Sequence, residues 1–91
     1  MNIALSYRSK KILVTGGAGF IGSRLVKRLV FYKAKVTVLD NLSSGSIDML
    51  ETVLPHIQFL SGSITDLPTC LAATQNIDII FHCAALTSIP D

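Results

Sequence analysis

Apolar positions along the chain follow two periods in turn, that of a buried strand and that of an amphipathic helix. The run KILVT at Lys11–Thr15 is short, apolar and β-branched, which predicts a fully buried strand. After a glycine-rich turn, Ile21, Leu25 and Leu29 recur every four residues, and Arg24 falls on the opposite face. This spacing predicts an amphipathic helix directly after the first strand.

The alternation of strand and helix continues through the rest of the chain. KVTVLD at Lys35–Asp40 predicts a second strand. Ile47–Leu54 predicts a short helix that stops before Pro55, because the residue preceding a proline is pushed out of the helical region. The remaining predicted elements are a strand at Ile57–Leu60, a weak helix at about Leu67–Gln75 and a strand at Asp78–Cys83.

This order of elements predicts an α/β fold. Strands that alternate with helices at such spacing form parallel sheets with right-handed crossovers. We therefore expect the N-terminal half of a doubly wound parallel sheet, with its strands in the order 3-2-1-4. Residues 1–10 show no sustained period and are expected to be a lead-in, so that the domain spans residues 11–91.

Composition and charge narrow the class of protein. A chain of 91 residues allows one small domain. Charged residues make up 15%, against about 25% in an ordinary globular domain, which agrees with a sheet covered on both faces. The net charge of +2 is too small to argue for a nucleic-acid partner. No uncharged apolar run approaches the roughly 18 residues that cross a bilayer, so we also expect no membrane partner.

The cysteine pattern bears on the cellular compartment, and the last strand bears on self-association. Cys70 and Cys83 lack a C-x-x-C spacing, and no secretory signal precedes them. We therefore expect reduced thiols and a cytoplasmic location. The strand at Asp78–Cys83 is apolar and predicted to lie at an edge of the sheet, which makes self-association through that edge an expectation.

Three glycines at intervals of three separate the first strand from the first helix, in the sequence TGGAGFIG. In a strand-turn-helix unit Gly16 allows the tight turn, Gly19 lets the backbone approach a pyrophosphate, and Gly22 lets the helix pack closely. The first turn of the helix offers unpaired N–H groups to phosphates. The motif predicts dinucleotide binding, with a glycine-rich turn kept for packing alone as the alternative.

Asp40, at the end of the second strand, bears on the choice of dinucleotide. A carboxylate there can accept both hydroxyls of an adenosine ribose and would repel a 2′-phosphate, which favours NAD over NADP. The alternative is that Asp40 caps the turn into NLSSG.

Three segments, TGGAGFIGS, DNLSSG and HCAALTS, resemble in this order the extended short-chain dehydrogenase/reductase family. Within it they are similar to the NAD-dependent nucleotide-sugar epimerases and dehydratases, and VLDNLSSG resembles in particular the UDP-glucose and UDP-N-acetylglucosamine 4-epimerases. The resemblance runs from about Lys11 to Pro90. It implies a Rossmann-type fold, NAD as the cofactor and a nucleotide-sugar as the substrate of the intact enzyme.

The resemblance also implies the residues of a cofactor site. The loop that contacts the pyrophosphate matches Gly16, Gly19, Phe20, Ile21 and Gly22. The residues that match the adenosine side are Asp40, Asn41, Ser43, Ser44, Gly45, Ser63 and Ile64. The residues that match the nicotinamide side are Ala84 and Ala85, whose small size packing alone could also explain, and Thr87.

One position departs from the family pattern. After the third strand the family has Gly-Asp-Ile or Gly-Asp-Leu, whose aspartate accepts a hydrogen bond from the adenine amino group, whereas this chain has Ser63. We expect adenine to be held less tightly here, or Asp66 to take the place of that aspartate.

The catalytic Tyr-x-x-x-Lys pair of the family is expected beyond the fourth strand, and no catalytic residue is assigned in this chain. Tyr7 and Lys11 match the pair literally, but they precede the first strand and are expected at the wrong end of the sheet. The chain is therefore expected to be the N-terminal portion of a nucleotide-sugar 4-epimerase. The alternatives are a non-catalytic NAD-binding or interaction module, and the N-terminal portion of a dehydratase or reductase of the same family.

Overall fold

The computed structural model describes residues 7–42, 46–63 and 66–83, and the part of the chain that it describes contains one parallel sheet. The strands are β1 (Lys11–Thr15), β2 (Lys35–Asp40), β3 (Ile57–Ser61) and β4 (Ile79–His82). Across the sheet they lie in the order β3-β2-β1-β4, and every pairing is parallel. The predicted Rossmann-type sheet and its strand order are thus confirmed.

The larger core lies on one face of this sheet. Helix α1 (Phe20–Phe31) and a 3₁₀ helix (Ile47–His56) cover that face. The side chains that meet there are fully or almost fully buried and come from both helices and from the two central strands, among them Val26, Leu29, Leu50, Val14 and Val38. This packing fixes α1, and with it the turn that precedes α1, against the middle of the sheet.

The opposite face has a much thinner cover. Helix α2 (Leu67–Thr74) buries Ala73 against Leu13 and Leu39 of the central strands. Ile80 of β4 lies 52% exposed and Leu71 of α2 59% exposed. A large part of the apolar surface on this face is therefore open to a partner or to further chain.

One predicted element boundary is wrong. The helix expected to stop at Leu54 is instead a 3₁₀ helix that runs through Pro55 to His56, with the hydroxyl of Ser46 accepting a hydrogen bond at its start. Proline lacks an N–H and crowds the preceding turn, which ends an α-helix. A succession of 3₁₀ turns closes shorter hydrogen-bonded loops, so the proline removes one bond and leaves the neighbouring turns intact.

The end of α1 takes a conformation that usually requires glycine. The N–H of Ala34 donates to the carbonyl of Leu29 at 3.1 Å, and that of Lys33 donates to Val30 at 2.9 Å, which is the bonding pattern of a Schellman motif. Lys33 occupies the left-handed position of this motif, with φ of 68°. The motif therefore forms without the glycine that usually occupies its left-handed position, and the backbone of Lys33 is strained as a result.

The residues that precede β1 pack onto the domain. The ring of Tyr7 stacks on that of Tyr32, with ring centroids 6.2 Å apart, and the N–H of Ser9 donates to the carbonyl of Lys33 at 3.0 Å. This contact lies beside the end of α1 and the start of β1, at the N-terminal end of the strands. The described part of the lead-in is thus part of the packed structure.

We expect Lys33→Gly to stabilise the protein. Glycine adopts positive φ without steric cost, so the free energy of unfolding should rise by about 1 kcal/mol in urea denaturation. The matched control is Lys27→Gly, which removes the same charge from the interior of α1 and should lower the free energy of unfolding by about 1 kcal/mol. Equal effects of the two substitutions would contradict the assigned strain at Lys33.

Candidate functional site

The glycine-rich turn leaves β1 at the C-terminal edge of the sheet. Gly16 has φ of 72°, a left-handed conformation that favours glycine, and its N–H donates to the carbonyl of Leu39 in β2 at 2.8 Å. The tight turn predicted at Gly16 is therefore present. This hydrogen bond joins the first residue of the turn to the neighbouring strand.

Gly22 and Gly17 both lie where a side chain has no room. A Cβ on Gly22 would lie 2.2 Å from the carbonyl oxygen of Gly16, so the close approach at this position is between α1 and the turn itself. A Cβ on Gly17 would lie 2.6 Å from Val38 of β2. The sequence analysis assigned no role to Gly17, because its contact with Val38 depends on the packing of the turn against β2.

Gly19 begins α1 and leaves its N-terminus open. Its φ of −79° and ψ of 176° are extended and suit any residue, so its backbone conformation does not require glycine. No side chain caps the helix, and the first turn carries no acidic residue. The N–H groups of this turn therefore keep the partial positive charge that attracts an anion.

Two apolar side chains and one cation surround this helix start. Phe20 is 66% exposed and Ile21 50% exposed, which is unusual for large apolar residues next to a core. The guanidinium of Arg24 lies over the ring of Phe20, 5.6 Å from its centroid. The helical pattern placed Arg24 on the outer face of α1, and the structure adds that this side chain reaches the N-terminal end of the helix.

Asp40 ties the glycine-rich turn to the end of β2. Its Oδ2 accepts a hydrogen bond from the N–H of Ala18 at 2.8 Å, and its Oδ1 accepts one from the N–H of Leu42 at 2.7 Å. The residue is 8% exposed. The bond to Leu42 is the turn cap that the sequence left open as an alternative. The bond to Ala18 was not predicted, because its donor is a backbone N–H, which every residue type except proline carries.

Ala18 is held on both sides. Besides donating to Asp40, it accepts a hydrogen bond at its carbonyl from the N–H of Ser46, at 3.1 Å, and its side chain is fully buried. The turn after β1 and the segment after β2 are therefore fixed to each other at the C-terminal edge of the sheet.

The adenosine side of the predicted site is described only in part. Asn41 is exposed directly after β2, and Ser63 follows β3, where its carbonyl accepts from the N–H of Asp66 at 3.1 Å. The carboxylate of Asp66 accepts a hydrogen bond from the hydroxyl of Thr69. The other predicted site residues, Ser43, Ser44, Gly45, Ile64, Ala84, Ala85 and Thr87, lie outside the described residues.

The remaining reactive side chains have structural partners. Nδ1 of His82 lies 2.7 Å from the hydroxyl of Thr15 across the β1–β4 pair, as expected for a satisfied strand-end histidine. Cys83 lies in the larger core, and burial raises the pKa of its thiol, which keeps it protonated and unreactive. Cys70 and Cys83 are both free thiols.

Within the described ranges, no helix is both long and apolar enough to cross a membrane. The same residues hold no group of three or more histidine, cysteine or acidic side chains that could bind a metal ion.

The parallel sheet, the uncapped start of α1 and the bonded Asp40 define a protein of the Rossmann class, with the glycine-rich turn at the edge where such sheets bind ligands. A family model described as the NAD dependent epimerase/dehydratase family matches residues 12–91. The chain belongs to that family.

Individual relatives match the chain at similar levels. A 3β-hydroxysteroid dehydrogenase/Δ5→4-isomerase of Mycobacterium tuberculosis is 40% identical over 79 residues, which are 87% of this chain and 20% of that protein. A UDP-glucose 4-epimerase of Neisseria meningitidis serogroup B is 40% identical over 86 residues, which cover 88% of this chain and 25% of the relative. The chain thus spans a quarter or less of these two curated relatives.

A solved structure confirms the fold at the level of coordinates. The enzyme WbmF of Bordetella bronchiseptica, crystallised with NAD⁺ and UDP, superposes with a TM-score of 0.78 at 35% identity. The match covers 89% of this chain and 24% of WbmF. The described sheet therefore corresponds to one part of a larger enzyme of the same fold.

We expect Gly22→Ala to destabilise the protein. The new methyl group would meet the backbone oxygen of Gly16, which cannot move without opening the turn, so the free energy of unfolding should fall by about 2 kcal/mol. The comparison variant is Gly62→Ala, whose methyl group meets the side chain of Thr69 and should cost less, as urea denaturation would measure. An ordinary glycine-to-alanine change inside a helix gains about 1 kcal/mol, so a stabilised Gly22→Ala would refute the close contact.

Proposed function

We propose that this chain is the NAD-binding N-terminal portion of a nucleotide-sugar 4-epimerase. The observation that carries the proposal is the position of Asp40, a carboxylate fixed by two backbone N–H groups beside the glycine-rich turn. Membership of the NAD-dependent family and the NAD⁺ and UDP bound in WbmF support it.

The pyrophosphate of NAD fits the start of α1. The N–H groups of that turn have no side-chain cap, and Gly16 turns the chain so that they face the C-terminal edge of the sheet. Gly19 would leave space for a phosphate at the closest point of approach, since its backbone conformation gives no other reason for a glycine. Phe20 and Ile21 would flank the phosphates, and Gly22 would keep α1 packed closely against the turn.

Asp40 has the capacity to hold a ribose as well as the turn. A carboxylate offers about four acceptor positions, and the N–H groups of Ala18 and Leu42 use two of them. The other positions remain for the 2′- and 3′-hydroxyls of the adenosine ribose, with Asn41 next to them. A 2′-phosphate would face the same carboxylate and be repelled, so NAD is the proposed cofactor.

The other assignments follow from the family and are part of the same proposal. Ser43, Ser44 and Gly45 would line the adenine side, as would Ser63 and Ile64. Ala84, Ala85 and Thr87 would lie on the nicotinamide side. The domain would span residues 11–91, after the lead-in 1–10.

The proposed reaction is an inversion at C4 of a UDP-sugar by the intact enzyme. When bound, NAD supplies a reversible hydride acceptor for the transient oxidation of the C4 hydroxyl. The residues of this chain would bind and orient the cofactor, while the tyrosine base would come from a segment beyond β4. A cytoplasmic location is proposed with it, and the two free thiols agree with a reducing compartment.

The expected cofactor preference can be measured by isothermal titration of the chain with NAD and, separately, with NADP. The unmodified protein should bind NAD more tightly. In Asp40→Asn an amide replaces one acceptor oxygen by a donor, so affinity for NAD should fall by about 10-fold to 100-fold, the range for losing a charged hydrogen bond. Affinity for NADP should fall less, because the repulsion of its 2′-phosphate is removed as well.

The control for this experiment is Asp48→Asn, which removes the same charge from an exposed position in the 3₁₀ helix and should leave both affinities unchanged. A thermal melt of each variant shows whether it is folded at the titration temperature. If folded Asp40→Asn kept the original ratio of NAD to NADP affinity, Asp40 would not contact the ribose. Equal binding of the two cofactors by the unmodified protein would contradict the proposed cofactor.

We also propose that the chain associates with itself through β4. One side of this strand pairs with β1, its other side has no partner among the described residues, and Ile80 presents an exposed apolar side chain beside it. Ile80→Lys should therefore raise the dissociation constant of the dimer by roughly tenfold in sedimentation across a concentration series, and Leu54→Lys in the 3₁₀ helix should not. A monodisperse monomer at every concentration would refute the proposal.

A further inference from the structure

A cavity lies at the opposite end of the sheet from the glycine-rich turn. It has a volume of about 490 Å³ and lies at the N-terminal ends of β1, β2 and β3, beside the loop from α2 to β4. We call it the basic pocket, and the polar residues that line it are Lys11, Lys35, Thr37, His56, Gln58, Gln75 and Asn76. Strand β1 rises about 3.3 Å per residue, so the pocket and the turn are separated by about 13 Å along that strand.

Two lysines stand side by side in the basic pocket. Lys11 and Lys35 are register partners on neighbouring parallel strands. Each precedes a residue that faces the larger core, Ile12 and Val36, so both lysines lie on the α2 face of the sheet. Like charges directly opposite each other in a sheet are destabilising, and this pair therefore favours a counterion between its two ammonium groups.

No acidic side chain lines the pocket to neutralise these lysines. The carboxylate of Asp78, which leads into β4, lies beside Lys11, and its Oδ2 accepts a hydrogen bond from the backbone N–H of Lys11 at 2.9 Å. This bond uses part of the acceptor capacity of that carboxylate. The residues that line the pocket thus include two lysines and no acid.

Neutral hydrogen-bond donors complete the walls. Thr37 and Gln58 are register partners on β2 and β3, so a hydroxyl and an amide lie next to each other. Thr37 follows Lys35 by two residues and lies on the same face of the sheet. His56 ends the 3₁₀ helix directly before β3, and Asn76, with a left-handed φ of 60°, lies in the loop between α2 and β4. This set of donors suits an oxyanion, whose oxygens accept several hydrogen bonds at once.

We propose that the basic pocket binds a small molecule through a phosphate group. Two lysine ammonium groups match the double charge of a phosphate better than the single charge of a carboxylate. The volume exceeds that of a phosphate ion and falls in the range of small-molecule sites, and Ile77 would contact the organic part of the molecule. The proposal does not depend on the cofactor assignment, because the residues that carry it lie at the other end of the strands.

The test is a titration of the isotope-labelled protein with inorganic phosphate, followed by backbone amide chemical shifts at constant ionic strength set with sodium chloride. Saturable shifts should concentrate at Lys11, Lys35, Gln58 and Asn76. In the double variant Lys11→Gln/Lys35→Gln the dissociation constant should rise at least tenfold. The control, Lys27→Gln/Lys33→Gln, removes two lysines that do not line the pocket and should bind phosphate as the unmodified protein does.

The outcomes separate this proposal from the proposed NAD site. The spectrum of the double variant shows whether it is folded, and an NAD titration of the same sample should give unchanged affinity if the two sites are independent. Shifts that stay linear in phosphate concentration, or an equal loss of binding in both double variants, would overturn the pocket and indicate solvated lysines at the ends of the strands. Tighter binding of citrate than of phosphate and pyrophosphate would overturn the choice of phosphate.

Discussion

The hydrogen bond from the N–H of Ala18 to the carboxylate of Asp40 is the interaction on which the site depends. It joins the turn after β1 to the end of β2, at 2.8 Å and in a nearly buried position. A buried carboxylate without hydrogen-bond donors would carry a large desolvation cost. The two hydrogen bonds that Asp40 accepts from backbone N–H groups offset this cost. The same hydrogen bond holds the turn in the conformation that leaves the N-terminus of α1 open to solvent.

This arrangement gives Asp40 two structural roles, of which the sequence presented only the turn cap, as the alternative to ribose binding. The bond to Leu42 makes it a turn cap, and the bond to Ala18 makes it a support for the glycine-rich turn, yet the carboxylate keeps acceptor capacity on its outer side. A support fixed in this way is preorganised, since a bound ribose would meet an acceptor whose position no longer has to be ordered. Structural and binding roles therefore reinforce each other at this residue.

The strands, their order and the glycine-rich turn could be predicted because each depends on a periodic or compositional signal. Contacts made by the backbone could not: the donor at Ala18 and the lack of room at Gly17 leave no pattern in side-chain type. The left-handed conformation of Lys33 could not be predicted either, because two backbone hydrogen bonds stabilise it where no glycine marks the position. Pro55 likewise marked an α-helix end and not the 3₁₀ helix that forms.

The described residues constrain the cofactor far more than the substrate. A steroid dehydrogenase/isomerase and a sugar-nucleotide epimerase match the chain at the same 40% identity, although the substrates in their names share little chemistry. The glycine-rich turn and Asp40 lie at one end of the sheet, at the edge where sheets of this class bind dinucleotides. Sequences similar to this half-sheet thus occur in relatives named for different reactions, so the half-sheet alone does not select the reaction.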